Sequence, residues 1–377
     1  MKDLENPKVT FIFGTGREEK MDNPEYSNEF FYSYDYFLKD STNTQYIEFK
    51  NYENFINKYI LRYLDKILSK IFKLGFTTNS VCKVKNFKLI YNSEYIVLVN
   101  ERTAIASLPM IMLTKIFKKT SVNLIVMGLF SKKLKYNYQK FLQKILIKLI
   151  ILNTDNLIFL GIGEYNESKK FTTKHEKLHY VPFSINTDFW SSSGNSKNKE
   201  GILFIGNDGN RDFKKVLSIA KKMPELKFTF LTENIQQSVS VPKNVILIKG
   251  HWNKSVLTDL EVKKLYDDSK ISIIPLHDSL QPSGQSVAMQ SMAMGVPVII
   301  SKTRGFWDTD NFLDGKNILL LENNSVENWV KTINEIYDNS DTLNLLALNA
   351  NELVRNQYDM RKFYDKLKII LFVNNSV

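Results

Sequence analysis

The residues best suited to chemistry lie in one run, Pro282–Val298, which reads PSGQSVAMQSMAMGVPV. Its pattern predicts a loop that enters a short helix, with Gly295 ending the helix before the next strand. Gly284 lets the backbone of the loop approach a ligand closely, because glycine has no side chain. The first backbone amides of the helix lack partners within it, and with the helix dipole behind them they suit a diphosphate. These amides belong to Gln285, Ser286 and Val287.

Two further groups extend this predicted anion site. Gln290 lies about one turn further along the helix, where its side-chain amide can bond sugar hydroxyls. The polar loop Gly206–Lys215 (GNDGNRDFKK) follows another predicted strand, and its two glycines let a phosphate approach. Arg211 is its main cationic candidate and Lys214 the second, because a fixed cation stabilises charge that develops on a leaving diphosphate. The alternative is that Arg211 and Lys214 have no ligand and lie exposed to solvent at the basic start of an ordinary helix.

Weaker candidates follow other predicted strands. The turn after the first strand has the pattern Gly-x-Gly, which alone is equally typical of a tight turn. A carboxylate after the strand Tyr95–Val99 can bind hydroxyls, act as a base or cap a helix. These residues are Gly14, Thr15 and Gly16 in the turn, Glu101 after Tyr95–Val99, and Glu233 and His251 after strands of the second half.

Strands and helices alternate along the chain in a pattern that positions these loops. Short runs rich in β-branched residues predict six strands in each half, with segments of helical period between them. This alternation predicts an α/β fold with two parallel sheets covered by helices, and ligands of such sheets bind beyond the carboxyl ends of the strands. The polar stretch Ser191–Glu200 (SSSGNSKNKE) separates the halves. The predicted division is a first domain at 1–190, a linker at 191–200, a second domain at 201–345 and a helical segment at 346–377.

The signature run resembles a known family. GQSVAMQSMAMGVPVI is similar to the donor-site signature of the GT-B glycosyltransferases of family 4 (group 1), where a glycine-containing loop enters a helix ending in E-A-M-A-x-G-x-P-V-I. Leu178–Trp190 (LHYVPFSINTDFW) resembles the interdomain segment of that family, and GILFIGNDGNRDF matches the start of its second domain. The resemblance implies a GT-B fold, in which two Rossmann-like domains, N-terminal for the acceptor and C-terminal for the donor, face each other across a cleft. It also implies that the segment 346–377 packs back on the first domain.

The resemblance implies an activity as well. This activity is transfer of a sugar from a nucleotide-sugar donor to a hydroxyl acceptor, with retained anomeric configuration and without a metal. Family members set a basic pair against the leaving diphosphate, which assigns that role to Arg211 and Lys214. The resemblance also puts Gly14–Gly16 near the donor phosphates and the loops of Glu233 and His251 beside the nucleotide base. The expected acceptor is a glycan or a lipid-linked molecule in surface glycan or glycolipid assembly.

The sequence departs from the family pattern at three positions. Two glutamates that the family spaces eight positions apart align with Pro282 and Gln290, and the basic residue after the glycine is Asn207. Gln290 still offers an amide to the ribose, whereas Pro282 has no polar side chain for the donor sugar. Two alternatives therefore stay open: a degenerate, non-catalytic glycosyltransferase-like binding protein, and a nucleotide-sugar epimerase of the same fold. The epimerase would need acid/base carboxylates and histidines, and the chain has only four histidines.

The formal net charge of the chain is +11, which attracts polyanions without choosing among them. Nucleic-acid binding rests on this charge alone and is not predicted. Ser131–Leu152 (SKKLKYNYQKFLQKILIKLIIL) has six lysines, no acid and apolar residues at helical spacing. This pattern fits either a basic amphipathic helix on an anionic membrane or an ordinary covering helix with exposed lysines.

The cysteine content, the search for targeting segments and the spacing of the histidines limit the compartment and the cofactors that the sequence predicts. The lone cysteine, Cys82, fits a reducing compartment, and neither a secretory signal nor a membrane-spanning run is expected. The sequence therefore predicts a cytoplasmic protein, with 131–152 as the means of a peripheral attachment to the inner face of the membrane. None of the histidines has metal-ligand spacing, so no metal and no cofactor beyond the donor is predicted.

Overall fold

The computed structural model describes residues 7–40, 43–50, 55–72, 75–131, 134, 136–192, 199–236, 240–249 and 257–372. The chain forms two compact units and passes through each of them more than once. The N-terminal unit comprises Met1–Met21, Phe30–Val181 and Phe363–Val377, and the C-terminal unit comprises Asp22–Glu29 and Pro182–Lys362. The sequence pattern puts the boundary at 190, and the family resemblance puts the whole of 346–377 with the first domain, whereas residues up to Lys362 group with the C-terminal unit.

Six parallel strands form the sheet of the N-terminal unit, in the order β2-β1-β3-β4-β5-β6. Their apolar runs are nearly continuous because a parallel sheet is covered on both faces. The strands are β1 (Lys8–Phe13), β2 (Asn43–Glu48), β3 (Tyr95–Leu98), β4 (Ser121–Val126), β5 (Asn156–Phe159) and β6 (Leu178–Tyr180). The helices are α1 (Tyr34–Lys39), α2 (Arg62–Phe72), α3 (Val84–Tyr91), α4 (Glu101–Phe117), α5 (Asn137–Asn153) and α6 (Ile162–Ser168), with a π-helical turn at Ile56–Leu61 before α2.

The C-terminal unit repeats this arrangement with six parallel strands in the order β12-β11-β10-β7-β8-β9. Its strands are β7 (Ile202–Ile205), β8 (Phe228–Leu231), β9 (Val245–Ile248), β10 (Ile271–Ile274), β11 (Val298–Ser301) and β12 (Leu319–Leu321). The helices are α7 (Phe213–Lys222), α8 (Asp259–Asp268), α9 (Gln285–Ala293), α10 (Val326–Tyr337) and α11 (Ser340–Gln357), followed by α12 (Met360–Phe372), most of which belongs to the N-terminal unit. Because β10 pairs with β7, the loops after these two strands meet at the carboxyl edge of the sheet.

The expected pair of parallel sheets covered by helices is confirmed, and all of the predicted strands are present. Helices α3 and α6 are missing from the sequence prediction, because both are short and lack a long apolar period. The sequence pattern of Asn28–Leu38 predicts one helix, whereas the structure has a 3-10 turn at Glu29–Phe31 followed by α1. The predicted helical segment 346–377 contains the end of α11 and the whole of α12, and between these two helices the Tyr358 carbonyl accepts a hydrogen bond from the Ile185 N–H (2.9 Å).

A short early segment, Asp22–Glu29, docks on the C-terminal unit at the start of α8. The Ser27 N–H donates to Oδ2 of Asp259 (3.0 Å). The segment ends in Glu29, whose side chain is fully buried. The chain therefore contributes to the C-terminal unit long before its main body, which the alternation of strands and helices does not reveal.

Candidate functional site

The loops after β7 and β10 meet at the carboxyl edge of the second sheet and enclose Arg211. The Asp212 N–H donates to the Pro275 carbonyl (3.0 Å), and the Asn210 side-chain amide donates to Oγ of Ser283 (2.7 Å). Between these contacts the Arg211 side chain is only 3% exposed. The alternative of a solvated helix start is therefore wrong for Arg211.

Two glycines leave room for the Arg211 guanidinium. A Cβ on Gly206 would lie 2.2 Å from Nε of Arg211. A Cβ on Gly284 would lie 3.4 Å from Nη1 of Arg211 and 2.9 Å from Cγ2 of Ile274. Gly284 also has a φ of +83°, in the left-handed region that favours glycine. The guanidinium thus lies between the glycine that follows β7 and the glycine that precedes α9.

The charge of Arg211 is incompletely satisfied. Its Nη1 lies 3.1 Å from Oδ2 of Asp208 but has no hydrogen-bond partner among the described residues. Burial lowers the pKa of the Arg211 guanidinium, and Asp208 opposes this change. Arginine nevertheless stays protonated in proteins, and a buried charge without full hydrogen bonding is costly. An incoming anion would therefore gain a favourable interaction here.

The N-terminus of α9 completes this anion-binding geometry. The helix begins at Gln285, and the first-turn amides have no partners within it. The side chains of Gln285 and Val287 are buried, whereas Ser286 is partly exposed. Oε1 of Gln285 is buried and has no hydrogen-bond partner in the part of the chain that the structure describes. The predicted loop 284–287 and Arg211, which lie far apart in sequence, thus come together at one helix N-terminus.

Gln290 is held by groups that no sequence motif indicated. It is 8% exposed, its Nε2 donates to Oε1 of Glu29 (2.9 Å), and its Oε1 accepts from the Tyr266 hydroxyl (3.1 Å). The same Glu29 oxygen accepts from Nε1 of Trp190 (2.9 Å). Burial, reinforced by the nearby Asp259, raises the pKa of Glu29, and its hydrogen bonds oppose the rise. Both ends of the Gln290 amide are therefore bonded within the protein.

Asn207, which replaces the basic residue of the family pattern, connects two loops through its side chain. Its Oδ1 accepts from the Glu233 N–H (2.8 Å) and the Thr232 hydroxyl (2.9 Å), which ties the loop after β8 to the loop after β7. The Glu233 side chain is exposed, and Lys214 is exposed in the first turn of α7. His251 lies outside the described residues.

The predicted glycine turn lies at the carboxyl edge of the first sheet. Gly14, Thr15 and Gly16 follow β1 directly, and Gly16 has a φ of +84°. A Cβ on Gly14 or Gly16 would meet no atom within 4 Å, so the space beside both glycines is open. The left-handed backbone explains Gly16 as a turn residue, and the open space leaves the turn accessible to a ligand.

Glu101 lies at the same edge, in the first turn of α4 after β3. Its Oε2 accepts a hydrogen bond from the Met127 N–H (3.3 Å), in the loop after β4. The residue that caps α4 is Asn100, whose side chain accepts from the Thr103 N–H (2.9 Å). The interpretation of Glu101 as the helix cap is therefore wrong, and its carboxylate links two strand-end loops instead.

The structure adds Glu164, in the first turn of α6, which the motifs do not single out. Its side chain is 1% exposed, Oε1 accepts from the Phe130 N–H (2.8 Å), and Oε2 has no partner within the described ranges. Burial raises the pKa of Glu164 to about 8, and the charge of Glu101 adds to the rise. Its position just after β5 was the available signal. No group of three or more His, Cys, Asp or Glu side chains in the described ranges could hold a metal ion.

The segment 131–152 contains most of α5, which both covers the sheet and exposes apolar surface. Its buried residues are Gln139, Leu146, Ile147, Ile150 and Ile151. Tyr138 and Phe141, two members of the predicted apolar stripe, are 58% and 64% exposed. Lys140, Lys144 and Lys148 are exposed, and the lysines at 132, 133 and 135 lie outside the described residues. No helix among the described residues is long and apolar enough to cross a membrane.

Comparison with known proteins agrees with this arrangement. Residues 199–339 match the family model of the glycosyl transferases, group 1. This range contains Arg211 and the start of α9. No curated protein sequence gives a significant match.

Solved structures extend the similarity over nearly the whole chain. Sucrose-phosphate synthase from Thermosynechococcus elongatus is 13% identical, with a TM-score of 0.71 over 98% of this chain and 100% of that one. HepE from Anabaena, solved with UDP and glucose, is 10% identical, with a TM-score of 0.67 over 96% and 98%. A glycosyltransferase from Rickettsia africae is 11% identical, with a TM-score of 0.67 over 99% and 100%. These similarities show that the chain has the GT-B fold.

Proposed function

We propose that this chain, a GT-B glycosyltransferase by its fold and by its match to the group 1 family, transfers a sugar from a nucleotide-sugar donor to a hydroxyl acceptor. One observation carries the proposal: a buried, incompletely satisfied arginine lies against the glycine at the N-terminus of a helix. A helix N-terminus and a fixed cation suit the diphosphate of such a donor.

The proposed chemistry uses these groups when the donor bond breaks. The acceptor hydroxyl oxygen bonds to the anomeric carbon as the bond from that carbon to the phosphate oxygen breaks. The hydroxyl proton passes to the departing phosphate oxygen, so atoms and charge balance without an enzymic nucleophile. Attack on the face that the phosphate leaves retains the anomeric configuration. Arg211 and the amides of residues 285–287 stabilise the negative charge, which is largest as the diphosphate departs.

The nature of the donor and acceptor is part of the same proposal. The HepE structures contain UDP and glucose or UDP-glucose, which makes a UDP-sugar the first donor to test. The family resemblance supports a reaction without metal or cofactor. It also supports a cytoplasmic role in surface glycan or glycolipid assembly, with a glycan or lipid-linked acceptor. The exposed Tyr138 and Phe141, together with the lysines of α5, support peripheral attachment through 131–152.

A second candidate, a non-catalytic binding protein of the same fold, is favoured by one contact pattern. Both ends of the Gln290 amide are bonded to Glu29 and Tyr266, so this side chain has little freedom to serve a ribose. Pro282 offers no polar side chain either. Nucleotide binding without turnover would be the signature of this alternative.

The test combines a donor panel with a matched pair of glycine variants. The protein is incubated with UDP-, GDP- and ADP-sugars, with and without lipid acceptors, and nucleotide release is followed. Gly206→Ala should reduce turnover about 100-fold, because its Cβ would lie 2.2 Å from Nε of Arg211. Gly75→Ala, in the N-terminal unit and outside this loop, should keep turnover within about twofold of the parent, because its Cβ would meet no atom within 4 Å.

Calorimetry with free nucleotides decides among the remaining outcomes. Absence of binding to every nucleotide would overturn the proposal. Binding without turnover on any acceptor would favour the non-catalytic candidate. Arg211→Ala should lower turnover more than donor affinity, because the cation acts most strongly on charge that develops in the transition state.

A further inference from the structure

The continuous helix formed by the π-helical turn Ile56–Leu61 and α2 exposes its apolar side to solvent. Eight apolar side chains between 55 and 71 are 38% to 70% exposed. Their spacings of one, three and four residues put them on one face of the helix. We call them the α2 stripe: Phe55, Ile56, Tyr59, Ile60, Tyr63, Leu64, Ile67 and Ile71. An ordinary covering helix would bury such a stripe against the sheet.

The side of the helix that faces the protein carries the polar Asp65 and Ser69 together with the half-buried Leu61, Leu68 and Phe72. Asp65 is 4% exposed, and its Oδ2 accepts a hydrogen bond from the Asn79 N–H (2.8 Å). Oγ of Ser69 accepts from the Phe76 N–H (2.9 Å). These bonds fix the rotation of the helix, so the outward direction of the α2 stripe is set by specific contacts.

Positive charge accompanies the exposed stripe. Lys58, Arg62, Lys66 and Lys70 recur at every fourth residue, which aligns them along the helix, and all four are exposed. Asp65 is the one acidic residue between 55 and 72, and it is buried. The solvent side of α2 therefore combines apolar side chains with positive charge.

The neighbouring surface has the same character. Helix α5 packs beside α2 and exposes Tyr138 and Phe141 by 58% and 64%. A surface concavity of about 570 Å³ adjoins the C-terminal part of α5. Five lysines line it: Lys148, Lys169, Lys170, Lys174 and Lys177. The positive charge therefore extends well beyond α2.

Two kinds of partner fit this surface poorly. A nucleic acid would match the charge but would gain little from eight apolar side chains in one stripe. A second copy of the chain, related by a two-fold axis, would bring two rows of like charge together. An anionic lipid surface matches both features, because acyl chains take up apolar side chains and phosphates pair with the flanking cations.

We propose that the α2 stripe docks on an anionic lipid bilayer, with Lys58, Arg62, Lys66 and Lys70 on the lipid phosphates. This inference assigns membrane contact to a helix whose sequence pattern predicts only a covering role. It does not rest on the proposed glycosyl transfer.

Co-sedimentation with phosphatidylcholine vesicles, with and without phosphatidylglycerol, tests the proposal on the full chain. The parent should bind the anionic vesicles and lose binding as salt is raised. Ile60→Ser/Leu64→Ser/Ile67→Ser should weaken binding by at least about tenfold. Arg62→Glu/Lys66→Glu should remove the preference for anionic vesicles. Leu345→Ser/Leu348→Ser is the matched control, because these α11 side chains are 59% and 69% exposed in the other unit, and it should bind as the parent does.

Thermal unfolding and UDP calorimetry on the same variants keep the outcomes distinct. The stripe variant replaces exposed side chains, so its melting temperature and any UDP affinity should match the parent. Vesicle binding equal to the parent would overturn the proposal. Conversion of a dimer to a monomer by the stripe variant, with vesicle binding unchanged, would also overturn it, in favour of a second copy. Failure of the parent to bind UDP would count against the proposed function alone.

Discussion

Two buried glutamates, Glu29 in the C-terminal unit and Glu164 in the N-terminal unit, differ in how well they are satisfied. Both side chains are at most 1% exposed, and burial raises the pKa of both. Glu29 accepts hydrogen bonds from Trp190, Gln290 and Ser27, so both of its oxygens are bonded. Glu164 accepts the Phe130 N–H through Oε1, and the backbone of Gly128 also lowers its pKa, but its Oε2 has no hydrogen-bond partner in the part of the chain that the structure describes.

This difference separates a carboxylate that holds structure together from one that is available to exchange a proton. Removing Glu29 would leave buried donors without partners, at about 1 to 3 kcal/mol each. Glu164 has fewer bonds to lose, and its raised pKa places its titration near neutral pH. We therefore expect changes around Glu29 to act on stability, and changes at Glu164 to act on the pH dependence of stability.

The largest effect on this difference between Glu29 and Glu164 is expected from a substitution at Gln290, which donates a hydrogen bond to Glu29. Gln290→Glu restores the glutamate of the family pattern, but it puts a carboxylate where an N–H now donates to Glu29 at 2.9 Å. Two buried carboxylates repel each other, so the free energy of unfolding at neutral pH should fall by about 4 kcal/mol. Urea denaturation measures this loss. The loss should become smaller as the pH is lowered, because one carboxyl of the pair then takes up a proton.

The exchanged pair, Glu29→Gln/Gln290→Glu, is the matched control for that variant. It keeps one carboxylate facing one amide, so it should recover most of the stability that Gln290→Glu loses. A double variant no more stable than the single one would show that the bond between residues 29 and 290 does not hold this region together. Calorimetry with UDP on the double variant would also show what a carboxylate at 290 does to nucleotide affinity.

Glu164→Gln tests the less satisfied carboxylate. In the folded protein its pKa is raised from 4.5 to about 8, so between these values the folded state binds more protons than the unfolded state. Stability should therefore fall as pH rises through this window. The variant should lack this fall, so above about pH 8 it should be more stable than the parent by an amount whose upper limit is about 5 kcal/mol. Urea denaturation across the window checks this, and parallel pH profiles for parent and variant would contradict it.

The smallest expected effect concerns the neighbour of Glu164. The charge of Glu101 adds to the raised pKa of Glu164, so Glu101→Gln should shift the midpoint of the pH profile downward. Glu176→Gln removes an exposed carboxylate of the same unit and should leave the midpoint unchanged. An equal shift in both variants would point to net charge rather than to proximity.

The strands could be predicted from the sequence because their signal is local. Strands β5 and β10 are buried at every position, and such short apolar runs are visible directly in the sequence. For helix α2, the local sequence signal predicts the helix but not its orientation on the core. Its periodicity predicts an amphipathic helix, but periodicity does not tell which side meets the core. The bonds of Asp65 and Ser69 decide this, and their partners lie in the loop that follows the helix.

The candidate site could be predicted only in part for the same reason. Gly284 and the start of α9 follow from the local order of strand, glycine and helical period. The burial of Arg211 depends on the pairing of β7 with β10. The spacing of motifs along the sequence does not predict which strands are neighbours in the sheet. Glu29 precedes Gln290 by 261 residues, so no local motif links them.

The segment Asp22–Glu29 also affects how the protein can fold during its synthesis. Glu29 leaves the ribosome 261 residues before Gln290, a delay of roughly 13 to 50 seconds at about 5 to 20 residues per second. The N-terminal unit is completed later still, because it includes Phe363–Val377. The C-terminal unit is complete only at Lys362, and the N-terminal unit only with the part of α12 that follows. The two units should therefore complete their folds at nearly the same point of synthesis, rather than one well before the other.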